Sequence, residues 1–178
     1  MTNARSRLAL SLLGIAAVAC SSAATPSSDA GGVDLGNIPT PPANVSFSTD
    51  VVPIFQMSCG TSGAICHGST TVTTAMEPRP FLGLPFGTPT TQTLQQIHDG
   101  IVGVLSNEDP TMNYVTAKDT SQSFLWYKIT GQENSLNASC TNPMFMMCGL
   151  SMPFQGPPLT PDELSIVEGW IQQGALNN

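Results

Sequence analysis

Positive charge is scarce in this chain. Only five of its 178 residues are Lys or Arg, against twelve Asp or Glu. Two of the five, Arg5 and Arg7, stand at the extreme N-terminus, so the remainder carries only Arg79, Lys118 and Lys128 against twelve acids, a net charge of −9. No basic patch is available to neutralise phosphates, which excludes nucleic acid as a partner. An acidic surface of this kind either keeps the chain soluble or steers a basic partner toward it. The sequence also lacks an apolar run long enough to span a bilayer, an internal repeat and a glycine-rich loop that would cradle phosphate. No Ser-His-Asp arrangement with a nucleophile elbow stands out, so nothing points to an enzyme.

What is present begins with an export signal. Arg5 and Arg7 precede LALSLLGIAAVA, residues 8–19, a twelve-residue apolar run. That length suits the apolar centre of a signal peptide and is too short for a mature membrane span. The run ends in AVAC, residues 17–20, which resembles a bacterial lipobox. The resemblance implies cleavage after residue 19 and lipid on Cys20, although Ala17 stands where Leu is usual. Ser21 after it, with no Asp, leans toward an outer-membrane address by the same resemblance. Residues 20–44 are nearly all Ser, Ala, Gly, Pro, Thr and Asp. With so little apolar mass they read as a flexible, disordered linker. Residues 45–178 then form one domain, large enough to bury a core.

Four segments of that domain have helical signatures, so the expected fold class is mainly α, with about four helices and long loops. FSTDVVPIFQMSC carries Val51, Ile54 and Phe55 on one side. Ser48 or Thr49 serves as its cap, and Pro53 forces a start near Asp50. TTQTLQQIHDGIVGVL spaces Leu94, Ile97, Ile101 and Leu105 at helical period after Thr90 or Thr91, with a break near Gly103. SQSFLWYKITG ends at Gly131. LTPDELSIVEGWIQQGA has Thr160 as cap, Pro161 at the first helical position and Glu163 two residues on, a capping box before the stripe Leu164, Val167, Trp170 and Ile171. Between the first two helices a loop rich in Thr, Pro and Gly has room for one short strand.

The chemistry centres on CGTSGAICHGS, residues 59–69. Cys66-His67 is the second half of the C-x-x-C-H haem attachment run, in which two cysteines on one side of a turn reach the haem edge and the histidine faces the iron. Here six residues separate Cys59 from Cys66 instead of two. The same span also suits a disulfide ring. A second iron ligand is commonly Met, and Met152-Pro153 stands eight residues before the capping box.

Taken together, FSTDVVPIF, then Cys-His-Gly, then SMPFQGPPLTPDELSIVEGWIQQGA resembles the small cytochrome c domains of exported bacterial proteins. The closer likeness is to myxobacterial-type lipoproteins whose cysteine spacing is also stretched. The resemblance spans roughly residues 45–175, loosely in the middle. It implies one haem c attached through Cys59 and Cys66, with His67 as proximal and Met152 as distal ligand. It further implies electron transfer with a redox protein partner in the envelope, and contact with the membrane through a lipid anchor only. Its departure is the six-residue spacer, which a standard maturation apparatus does not recognise.

Other readings accompany this one. Cys140 and Cys148 are expected to form a disulfide that pins the loop carrying Met152, and Cys59 with Cys66 is the alternative pairing of the first two cysteines. A haem-free, disulfide-stabilised binding or structural lipoprotein accounts for the spacer directly. Met144, Met146 and Met147 are soft donors suited to Cu(I), or simply adaptable filler. A zinc site from Cys59, Cys66 and His67 lacks its second half. His98 reads as structural, with axial ligation as a fallback. Trp126, Tyr127, Trp170, Phe55, Phe81 and Phe86 would wall a haem crevice or form an ordinary core.

Overall fold

Pro53 shapes the first helix. It has no N–H, so the chain entering it cannot close the usual bond there. Instead Val51 N–H and Val52 N–H reach back five residues, to Ser46 C=O and Phe47 C=O, in a wide helical turn over Phe47–Val51 that leads into α1, Val52–Ser58. The cap is therefore Ser46, not Ser48 or Thr49 as expected. Ser46 Oγ accepts from Thr49 N–H, and Asp50 Oδ2 accepts from Ser46 N–H at 2.8 Å. These details belong to a computed structural model of the chain, which describes residues 33–60, 66–69, 80–141 and 148–178.

The other helices follow their local signals. Thr90 Oγ1 caps α2, Thr91–Ile101, and the chain turns away at Gly103 with φ +71°. In α3, Phe124–Thr130, termination falls on Gly131 in the left-handed region, φ +69°, where glycine has no Cβ penalty. The reciprocal capping box of Thr160 and Glu163 opens α4, Pro161–Gln172. No strand is formed among the described residues, only isolated bridges such as Val102 with Val115. The short strand expected between α1 and α2 is absent from residues 80–90, and residues 70–79 lie outside the described part. The molecule is mainly helical, with long connections.

The core gathers all four helices. Phe47, Phe55, Ile97, Ile101, Ile129, Leu164, Trp170 and Ile171 are essentially sealed from solvent. Phe47 stacks on Trp170 with centroids 5.0 Å apart, and Phe55 meets the same indole edge-on at 6.2 Å. Each such pair adds roughly 0.5–1.5 kcal/mol beyond the burial of its area. Trp170 Nε1–H donates to Leu176 C=O, which satisfies its polar atom. A smaller cluster of Met112, Phe124, Cys140 and Cys148 sits apart, with the disulfide inside it.

Residues 33–44, which composition places in the linker, lie against this domain. Val33 N–H donates to Thr130 C=O at 3.0 Å, Val33 and Ile38 pack on the core, and Gln173 Nε2–H donates to Pro42 C=O at 2.7 Å. The signal segment and Cys20 lie outside the described residues.

Candidate functional site

The last turn of α1 delivers Cys59. Cys59 N–H and Gly60 N–H both bond to Phe55 C=O, and a Cβ on Gly60 would come within 2.5 Å of Gly83 C=O. Glycine at 60 thus lets the end of α1 close on the loop that follows the Cys-His turn. Gln56, buried one turn earlier, fastens that loop by donating from Nε2 to Leu84 C=O at 2.7 Å and Gly87 C=O at 3.0 Å. The sequence alone did not single out Gln56. A buried amide reveals itself only through partners about thirty residues away.

His67 is fixed from three directions. Its N–H donates to Cys59 C=O at 3.1 Å, its C=O accepts from Leu82 N–H at 2.8 Å, and ring Nδ1 lies 2.8 Å from Pro80 C=O. A carbonyl only accepts, so Nδ1 carries a proton and donates it to Pro80. That is the arrangement in which an outer carbonyl orients a metal-ligating histidine. Pro80 is the second residue that pattern reading missed.

Cys59 and Cys66 are both free thiols, Cys59 buried and Cys66 half-buried. The alternative in which they pair as a disulfide does not describe this state. Burial pushes the Cys59 thiol up to about 12, and the negative charge of nearby Cys66 acts in the same direction. In the absence of a partner Cys59 is therefore an inert, protonated thiol.

Met152 has different surroundings from His67. Its N–H donates to Lys128 C=O at 2.8 Å, its bond to Pro153 is cis, and it lines a hollow of about 30 Å³ with Val33, Ile129, Thr130 and Pro158. That is room for water, so no haem-sized cavity is preformed there. The expected disulfide between Cys140 and Cys148 is present and stands four residues before Met152. Lys128 and Glu108, 3.2 Å apart, hold the same loop and were not foreseen as partners.

The remaining candidates resolve as follows. His98 is structural: Nε2–H donates to Ala175 C=O at 2.8 Å and Nδ1 faces Asp99 at 3.2 Å, so both ring nitrogens are engaged. Trp126, Phe55 and Trp170 are buried, Tyr127 and Phe81 half-buried, but Phe86 is 85% exposed with φ +58° and walls nothing. Met144, Met146 and Met147 lie outside the described residues. Among those described, no three His, Cys, Asp or Glu side chains gather where they would hold a metal ion. No helix among them is long and apolar enough to cross a membrane.

Compared with known proteins, the chain matches no family model, no curated protein and no solved structure.

Proposed function

We propose that this chain is a haem c-binding electron-transfer domain of an exported, lipid-anchored envelope protein. The carrying observation is the hydrogen bond from His67 Nδ1–H to Pro80 C=O, which orients the imidazole in a turn that also holds two reduced thiols. Cys59 and Cys66 would hold the group covalently, His67 would be its proximal ligand and Met152 its distal one. By chemistry the donors suit a haem: one imidazole held by a backbone carbonyl, one thioether and two unpaired thiols. Bound, the haem would supply a one-electron iron couple, whose potential a Met ligand raises.

The protein's own contribution is placement. The Phe55 carbonyl fixes the end of α1 and so Cys59. Pro80 fixes the imidazole and Leu82 the backbone of His67. The Cys140–Cys148 disulfide anchors the start of the loop that carries Met152. No substrate chemistry is assigned on this reading, and the partner would be a redox protein that tolerates or favours the acidic surface.

The test is production in a periplasm with haem c maturation active, followed by a visible spectrum and an intact mass. The expected result is a Soret band and a mass gain of one haem that survives denaturation, with the low-spin signature lost in His67→Ala and altered in Met152→Ala. A haem-free protein four hydrogens lighter than its all-thiol mass, with Cys59–Cys66 bonded as well, would overturn the proposal. It would favour a disulfide-stabilised binding or structural lipoprotein on the same scaffold.

A further inference from the structure

We infer that Lys128 is a positioning residue for Met152, acting through the loop of residues 148–153. Its purpose rests on the haem reading; its geometry does not. Lys128 grips the loop at two places. Its Nζ–H donates to Cys148 C=O at 2.9 Å, and its backbone C=O accepts from Met152 N–H at 2.8 Å. A single residue of α3 thus spans the segment that carries the sulfur.

The ammonium is buried, its side chain 7% exposed, with Glu108 Oε2 at 3.2 Å and the Phe124 ring centroid at 5.6 Å. Gly149 makes room for this pair. Its φ is +72°, and a Cβ there would meet Glu108 Oε1 at 2.6 Å and Lys128 Nζ at 2.9 Å. Glu108 also ties in the other side of the disulfide, because its C=O accepts from Thr141 N–H at 2.8 Å. The ion pair therefore joins α3, the turn at residue 108 and both ends of the Cys140–Cys148 loop.

Stability alone does not account for it. A buried ion pair is commonly matched or bettered by an apolar side chain of the same volume. Met at 128 would fill the space but would leave Cys148 C=O without its donor. What the lysine adds is a fixed path for the chain between Cys148 and Met152.

The experiment uses the full chain with Lys128→Met and Glu108→Gln. Two readouts are followed: hydrogen exchange of the Met152 amide against the Cys59 amide as internal control, and, in haem-loaded protein, the methionine-to-ferric-iron charge-transfer band. Lys128→Met is expected to speed Met152 exchange at least tenfold with Cys59 unmoved, and to abolish the band. Glu108→Gln is expected to do both to a smaller extent, and it decides alone if Lys128→Met does not fold. Unchanged Met152 exchange in the folded variants overturns the inference. So does an unchanged band in variants whose wild type displays it. If the wild type takes up no haem, the haem reading falls, and the exchange arm still decides whether Lys128 holds the loop.

Discussion

Cys59 and Cys66 stand almost as far apart in sequence as Cys140 and Cys148, yet only the second pair is bonded. The difference lies in what surrounds each pair. Cys140 and Cys148 sit in their own apolar cluster with Met112 and Phe124, and a backbone bond from Thr141 to Glu108 and a side-chain bond from Lys128 Nζ–H to Cys148 C=O hold the chain on either side. Cys59 instead closes a helix, its carbonyl taken by His67 N–H, and its sulfur belongs to the main core. Sequence span sets the loop entropy of a bridge. Whether the loop is used for a bridge depends on what holds its ends.

The largest expected effect concerns the thiol pair at high pH. The folded Cys59 thiol is raised from 9.0 to about 12, mainly by burial and then by Cys66. A group raised on folding stabilises the fold fully below its unfolded value, and that contribution is lost as pH rises through its folded one. In haem-free protein, stability should therefore fall between pH 9 and about pH 12 by up to about 4 kcal/mol from this group. Denaturant unfolding across that range should show the fall in wild type and a much shallower one in Cys59→Ala. Parallel curves would place Cys59 in contact with solvent, or in a bond.

Next comes the bridge. Replacing both Cys140 and Cys148 by Ser should cost about 2.5 kcal/mol by loop entropy for a separation of this size. Reductant should lower the stability of wild type by a similar amount and leave the double variant untouched. A further loss in the double variant would reveal a second bridge between Cys59 and Cys66 and erase the contrast.

The two regions also differed in how far the sequence exposed them. The α4 capping box and the stop at Gly131 were legible because each is a local pattern with a local cause, whereas the Cys140–Cys148 pairing was legible without the distant contacts that hold its ends. The cap at Ser46 was hidden, since the missing N–H of Pro53 shifts the bonding back by five residues rather than four. The docking of residues 33–44 was hidden too, because Val33 and Ile38 are sparse among small residues and their partners lie far along the chain. Lys128 stands in the helical segment SQSFLWYKITG with nothing in its spacing to mark it as buried. Its burial depends on Glu108 before it and Gly149 after it, and no periodicity registers such a triangle. Cys-His-Gly and Met-Pro were visible as fragments. The bond from His67 to Pro80, which gives the histidine its orientation, has no signature in spacing.

The smallest effects test whether the bridged region has a pH limb of its own, at the acid end. Asp109 is fully buried. Burial works against its charge, but donors from the Ser139 hydroxyl, the Thr111 hydroxyl and the Thr111 amide outweigh it and hold the carboxyl below the usual range. A depressed carboxyl stabilises the fold above its unfolded value, near 3.8, and that contribution is lost as pH falls through the folded one. Asp109→Asn should cost about 1–2 kcal/mol at neutral pH and flatten the acid limb. Glu133 runs the other way. Burial raises its carboxyl above 4.5, so its contribution is present in acid and is lost as pH rises past that value. Glu133→Gln should therefore remove a gain in stability that accompanies acidification toward pH 4.5, above the range in which Asp109 acts. Ser139 directly precedes Cys140, so the Asp109 effect should fail to add to that of the bridge double variant. Simple additivity would mean that the hydrogen-bonded turn and the disulfide hold the Met152 loop independently.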